Sequence, residues 1–272
     1  MKKLSKFLTT ISKTFWFQFV PAIILGLLTI ILLTIGIIPL YYLWSTLIMW
    51  MLVCGLGIAV GYHRIFSHKT HDLPRWKENI ILFFASFAGQ GASIFWVAVH
   101  RGYHHRFSDQ VQDLHSPVIY GKYHAFIGWQ SKRTEMTDSV NLKYAVDLLR
   151  KSNHIWFHKN ILRVCWGVPL IVALFDWRLA LCAFWLVTFI GVTQDNLINV
   201  FGHDKGLIGY RNFDTKDNSH NNILLGYLGW GQGWHNNHHY DPKSYDFGTG
   251  VSGHWWEWDP ARIFLPFLND KY

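Results

Sequence analysis

Eight of the sixteen histidines in this 272-residue chain fall into three tight clusters. They read His63-Arg-Ile-Phe-Ser-His68, His100-Arg-Gly-Tyr-His104-His105 and His235-Asn-Asn-His238-His239. Neutral imidazole is a common protein ligand for iron, copper, nickel and zinc. No His-Glu-x-x-His protease motif and no Glu-x-x-His carboxylate-bridge motif occurs, so imidazoles are expected to dominate any ligand set. Each cluster adjoins a long uncharged stretch, which points to a metal centre held at a bilayer surface.

Spacing converts to direction. A helix turns about 100° per residue, so positions four apart share a face. His100 and His104 can point together on this rule, and so can His235 with His238 or His239. His63 and His68 diverge by about 140° on a straight helix, so the helix is expected to end between them. Adjacent pairs such as His104 and His105 diverge too, and are expected to serve two different metals. Asn199 and His203, four apart at the end of an apolar run, form a further candidate pair. A capping or surface role is the other reading of that histidine.

The elements that position these residues are long and apolar. Half of the chain is hydrophobic and only 15% is charged. Residues 15–61 contain no Asp, Glu, Lys or Arg, a length sufficient for two membrane helices of about 20 residues each. Gly36 and Pro39 mark the turn between them. A second apolar block, residues 161–200, is split by Asp176 and Arg178 into another expected hairpin. The segment from Ile80 to Val99 is also uncharged and nearly long enough to span. Spanning would put His68 and His100 on opposite sides of the membrane, so it is expected to lie in the interface or dip back, interrupted at Gly89, Gln90 and Gly91.

The reading is a single all-α integral membrane domain over 1–272. Four transmembrane helices (hairpins at about 15–61 and 161–200) carry a helical cytosolic cap of residues 62–160 and 201–272. Lys2, Lys3, Lys6 and Lys13 place the amino terminus in the cytoplasm by the positive-inside rule. Four crossings then bring the carboxyl terminus and all three clusters to the same side, most simply at a bacterial inner membrane. The net charge of +8 suits a basic face against anionic lipid, or against an acidic electron donor or anionic thioester carrier. No nucleic-acid motif accompanies it. Cys54, Cys165 and Cys182 sit in apolar runs and read as packing residues.

These boxes resemble those of the membrane fatty acid desaturases, in particular the stearoyl-CoA (Δ9) branch. The resemblance runs from about Tyr41 to Trp258. It rests on the three boxes, the Asn199-x-x-x-His203 element, Asp113-x-His115-Ser-Pro, and Gly231-Gln-Gly-Trp-His-Asn-Asn-His-His239. It implies a cytosolic cap with two irons ligated by His63, His68, His100, His104, His105, His203, His235, His238 and His239, with Asn199 reaching one iron through water. The family's second box is often His-x-x-His-His. Here one more residue separates His100 from His104, which leaves the aim of His100 open.

The resemblance also implies that Gln90 and Trp96 shape a bent acyl tunnel. An interfacial anchor is the other reading of Trp96. Met51 and Gly55, on roughly the face of His63, are candidates for the tunnel floor, and apolar packing accounts for them equally. Asp195, a costly carboxylate in an apolar run, lies one turn before Asn199 and is expected to hydrogen-bond Gln90 or a ligand histidine, or to sit in water at the helix end. His115 is expected beside the site in a supporting role. His71, His124, His154, His158, His220 and His254 match no such position. His154 and His158 are expected on a solvated helix face.

The implied reaction joins a saturated acyl thioester or acyl lipid, O2 and two electrons to give a cis alkene and water. Zinc cannot change oxidation state, whereas iron can. The sequence has no His-Pro-Gly-Gly haem motif, so a separate donor of the ferredoxin or cytochrome b5 type is expected to supply the electrons. Two rivals stand beside this reading: a di-iron membrane hydroxylase, and a membrane protein that binds or transports metal without catalysis.

Overall fold

The computed structural model describes residues 2–129 and 142–269, and side chains from Phe17 on. The four lysines near the amino end thus lie outside the described side chains. The fold is built on helices α1 (Lys2–Thr34), α2 (Leu40–Ser67), α3 (Arg75–Ala85), α4 (Ser93–Val99), α5 (Ser152–Phe175), α6 (Trp177–Phe201) and α7 (His235–Tyr240). Four of these, namely α1 from Phe17, α2, α5 and α6, are long and apolar enough to cross a membrane. The expected hairpins are therefore present, with α2 running on to Ser67 and α5 starting earlier than the apolar block, at Ser152. The one described strand pair joins Gly209–Tyr210 to Asn221–Asn222.

Both hairpin turns lie at the same end of the bundle. Gly36 takes a left-handed conformation (φ 77°) to close the first. Asp176 closes the second by accepting from the backbone N–H of Arg178 (2.9 Å) and Leu179 (3.3 Å), a typical helix N-cap. Tyr42, at the start of α2, donates its hydroxyl to the Asp176 carboxylate. Since α2 and α6 both start at this end, their far ends, which carry His63 and Asn199, finish together at the other.

The segment from Ile80 to Val99 does not span. It breaks at Gly89 (φ 70°) and Gly91 (φ 79°), and much of it packs inside the protein: Ile81, Leu82, Ile94, Val97 and Ala98 have no exposed surface. Gly57 allows the approach of α3 to α2, because a Cβ there would sit 2.8 Å from the Ala85 backbone nitrogen. Folded back this way, α3 and α4 also cover the first turns of α5. His154 and His158 are consequently buried, correcting the expectation of a solvated face. His154 Nδ1 lies 2.8 Å from Ser93 Oγ, and Glu78 beside it binds Lys151 and Asn153. The three cysteines are free and buried, as expected.

Candidate metal centre

Wide helical turns solve the spacing problem of the first two boxes. α2 does not end between His63 and His68. It continues through Met51–Ser67 with turns one residue wider than α-helical, and the His68 N–H bonds the His63 carbonyl at 3.2 Å. The second box repeats the device over His100–His104, where the His105 N–H bonds the His100 carbonyl at 3.0 Å. Such i→i+5 turns absorb one extra residue per turn and are frequent at functional sites. They bring His63 over His68 and His100 over His105, so the additional residue in the second box leaves His100 aimed at the centre.

The nine histidines separate into two groups. His63, His68, His100, His105 and His238 form one, and His104, His203, His235 and His239 the other, with the candidate ligand nitrogens of each within 4.8 Å of one another. The neighbours His104 and His105 fall in different groups, as do His238 and His239. Within the first group, Nε2 of His238 is 2.9 Å from Nε2 of both His63 and His105, and His68 and His100 meet at 3.0 Å. Within the second, His203 and His235 Nε2 are 3.0 Å apart. Two nitrogens each about 2.1 Å from one ion, at right angles, lie about 3.0 Å apart. The donor set therefore fits metal.

Burial favours the neutral form, the one that ligates, in most of these imidazoles. It pushes His68 down to about 3, helped by His239 and Arg101, and His239 to about 4 against the pull of Asp217. His100, His105, His235 and His238 are pushed well below the usual histidine range by the same cause. In His203 burial lowers the pKa, but the hydrogen bond it donates to the Asp109 carboxylate outweighs burial and raises it overall. The unfolded chain protonates its histidines below about pH 6.5, whereas His68 and His239 resist until far lower. Their contribution to stability is complete above about 6.5 and is lost as pH falls toward 4 and 3, at about 1.4 kcal/mol per unit per group. His203 runs the other way. The metal-free protein should accordingly melt at a lower temperature at pH 5.0 than at pH 7.5, as thermal unfolding in detergent will read.

The third box is held by residues that the sequence did not single out. Asn236 and Asn237, between the histidines, have no exposed surface. The Asn236 side chain accepts from the Asn212 and Phe213 N–H groups at 2.8 and 2.9 Å. Asn237 donates to Phe247 O (2.9 Å) and Glu257 Oε2 (2.8 Å) and accepts from Asn221 (2.7 Å). The box thus sits in a buried polar lattice that fixes the direction of α7. Asp109 and Asp217, which contact His203 and His239, were also missed. A carboxylate within a few residues of a histidine box was the only available signal for Asp109, and Asp217 had none.

The arginines after His63 and His100 act as clamps. Arg64 is fully buried and pairs with Asp259 at 2.7 Å, donates to Ala59 O and Tyr245 O, and lies 4.0 Å above the Phe247 ring. Phe247 packs on His238 (4.1 Å between centroids) and His63 (5.3 Å). Gly231 (φ 82°) is required beside this pair, since a Cβ would run into the Asp259 carboxylate. Arg101 pairs with Asp147 and donates to the carbonyls of Phe66 and Ser67, the last of α2.

A cavity opens beside the two groups. Phe95, Trp96, Val99, Trp129 and Ile198 give it apolar walls, and Gln90, Asp195, Asn199 and Gln232 give it polar points. Gln90, Trp96, Asn199, Asp195 and His115 are thus gathered at one place. Asp195 has Gln232 as a polar neighbour, and His115 packs on His104 (4.8 Å). Met51 and Gly55 are not in the lining, and Gly55 faces Trp230 and Phe264. Trp96 stacks on His100 at 4.8 Å and 23°, so it both walls the cavity and orients a candidate ligand. Trp96→Ala should lower turnover by about 10- to 100-fold, the usual effect of losing a ligand's support, while the metal content stays unchanged.

Paired histidine groups at one end of a four-span helical bundle define the class: a membrane protein built to hold metal beside an apolar cavity. The chain belongs to the fatty acid desaturase family, a class of oxidoreductases, whose model matches residues 39–262. It is 31% identical over 240 residues to an sn-2 palmitoyl-lipid 9-desaturase of Nostoc sp. (strain 36), covering 85% of this chain and 81% of that one. It is 30% identical over 229 residues to an acyl-CoA 5-desaturase of Anemone leveillei, covering 80% of this chain and 66% of that one. A chloroplastic palmitoyl-monogalactosyldiacylglycerol delta-7 desaturase of Arabidopsis thaliana is 31% identical over 227 residues, with 79% and 56% covered.

Proposed function

We propose that this protein is an O2-dependent fatty acyl desaturase that places a cis double bond, at Δ9, in a saturated acyl-lipid or acyl-CoA. The convergence of nine imidazoles into two groups beside an apolar cavity carries the reading, within a family whose relatives are named for double bonds at positions 5, 7 and 9. The balanced reaction removes two hydrogens from adjacent methylenes and joins O2, two electrons and two protons to form two waters.

Two irons are the metals this reading requires. His63, His68, His100, His105 and His238 would hold one; His104, His203, His235 and His239 the other, with Asn199 reaching it through water. Bound iron supplies the oxidant made from O2 that an unactivated alkyl chain demands. The remaining work belongs to the protein. Phe95, Trp96, Val99 and Ile198 exclude water and hold the methylene pair in place. Gln90 and Asp195 set polar points beside the chain's path.

The active site and both termini are cytoplasmic in this proposal, and a separate ferredoxin- or cytochrome b5-type protein delivers the electrons. Expression in a host of known lipid profile, followed by double-bond mapping, tests the function. A new cis-Δ9 acyl chain is the expected product. Hydroxylated chains as the main product would transfer the protein to the hydroxylases, and bound zinc with no O2-dependent product would remove it from catalysis.

A further inference from the structure

The two groups differ in what stands behind them. In the four-histidine group every Nδ1 is engaged. His203 Nδ1 donates to Asp109 Oδ2 at 3.0 Å, His104 to Asp113 Oδ2 at 3.3 Å, His239 to Asp217 Oδ2 at 2.7 Å and His235 to the Gln232 carbonyl at 3.3 Å. The carboxylates are themselves fixed. Asp109 accepts from the Asn218 N–H (2.7 Å) and Ser116 Oγ (3.0 Å), and Asp217 from the Ser219 N–H (3.0 Å) and Thr215 Oγ (2.8 Å). In the five-histidine group no carboxylate contacts a histidine among the described residues. The Nδ1 atoms of His63 and His238 are buried without a hydrogen-bond partner. The charged groups near it are Arg64 and Arg101, each already paired, with Asp259 and Asp147.

We infer that Asp109, Asp113 and Asp217 make the two metal positions chemically inequivalent, so that an iron in the four-histidine position is oxidised to the ferric state first and is held more tightly. A carboxylate on the far nitrogen fixes the tautomer and makes the imidazole a stronger donor. Three negative charges in a buried shell also favour the extra positive charge of a ferric ion. The other position has neither aid. The three aspartates are positioning residues, since they act through histidines and touch no substrate. This inference rests on the ligand assignment proposed above.

The test uses the full-length protein in detergent, loaded with 57Fe(II) and titrated anaerobically with ferricyanide, with both irons followed by Mössbauer spectroscopy. Wild type is expected to show two quadrupole doublets that oxidise in separate waves. In Asp217→Asn the first wave should move to higher potential while the second stays in place, and a chelator should remove the first iron about 10- to 100-fold faster. Asp217→Glu should restore much of the first wave. Asp147→Asn, a carboxylate beside the other group that touches no imidazole, should leave the first wave where it is. A single wave in wild type, or equal shifts of both waves in Asp217→Asn, overturns the inference, and the wild-type titration decides even if a variant does not fold. Fewer than two irons in wild type would instead strike at the ligand assignment.

Discussion

His238→Ala is expected to abolish O2-dependent turnover and to lower the iron content from about two to about one per chain, since a metal site missing a central ligand rarely retains its ion. His238 is fully buried, and its Nε2 lies 2.9 Å from both His63 and His105. Its removal opens the five-histidine group between the first and second boxes, and its neighbour His239, which faces the other group, is untouched. His203→Ala should release the other ion by the same logic, because His203 meets His235 at 3.0 Å. His254 is exposed and serves as the control: His254→Ala should keep both irons and full turnover. Iron analysis of purified protein alongside a product assay reads all three. Retention of both irons in His238→Ala would mean that the grouping is wrong.

Arg64→Ala is expected to lower stability by about 3–5 kcal/mol, the cost of leaving one member of a buried pair uncompensated. Asp259 has no exposed surface and would be left buried without its charged partner. The loss extends to the site. Asp259 also accepts from the Phe247 N–H at 2.8 Å, and Phe247 packs on His63 and His238. The variant should therefore express poorly or lose metal, as yield and thermal melts in detergent will show. Arg64→Met with Asp259→Leu, which removes both charges, should recover a substantial part of the stability. Failure of the double variant to recover any would show that the pair serves mainly to orient Phe247.

The contrast between these two residues measures what the sequence discloses. His238 was legible because a metal demands several imidazoles and their clustering survives in one dimension. The hairpins were legible because a charge-free run of membrane length has few other uses, and Asp176 marked its turn by being the polar break in one. Arg64 was not legible, because its partner Asp259 is far along the chain and their pairing exists only after α2 and the carboxyl-terminal segment meet.

The register of the first two boxes was hidden for a related reason. A straight helix turns His68 away from His63, and the i→i+5 bonds that bring it back depend on packing against α3 and α4. His154 and His158 looked solvated because nothing local announces that α3 folds over α5. Asn236 and Asn237 were visible as part of a motif, but their work lies in contacts with Asn212, Asn221 and Glu257, which come from separate segments of the chain. Asp217, whose carboxylate reaches His239 from a loop, carried no local signal at all.

Histidines distant in sequence converge into two groups at one end of the helical bundle, each proposed to hold one ion. Anomalous diffraction at the iron edge from crystals of the iron-loaded protein tests it directly. Two peaks are expected, one among the Nε2 atoms of His63, His68, His100, His105 and His238, the other among His104, His203, His235 and His239. A single peak, or iron bound away from these imidazoles, would contradict the account.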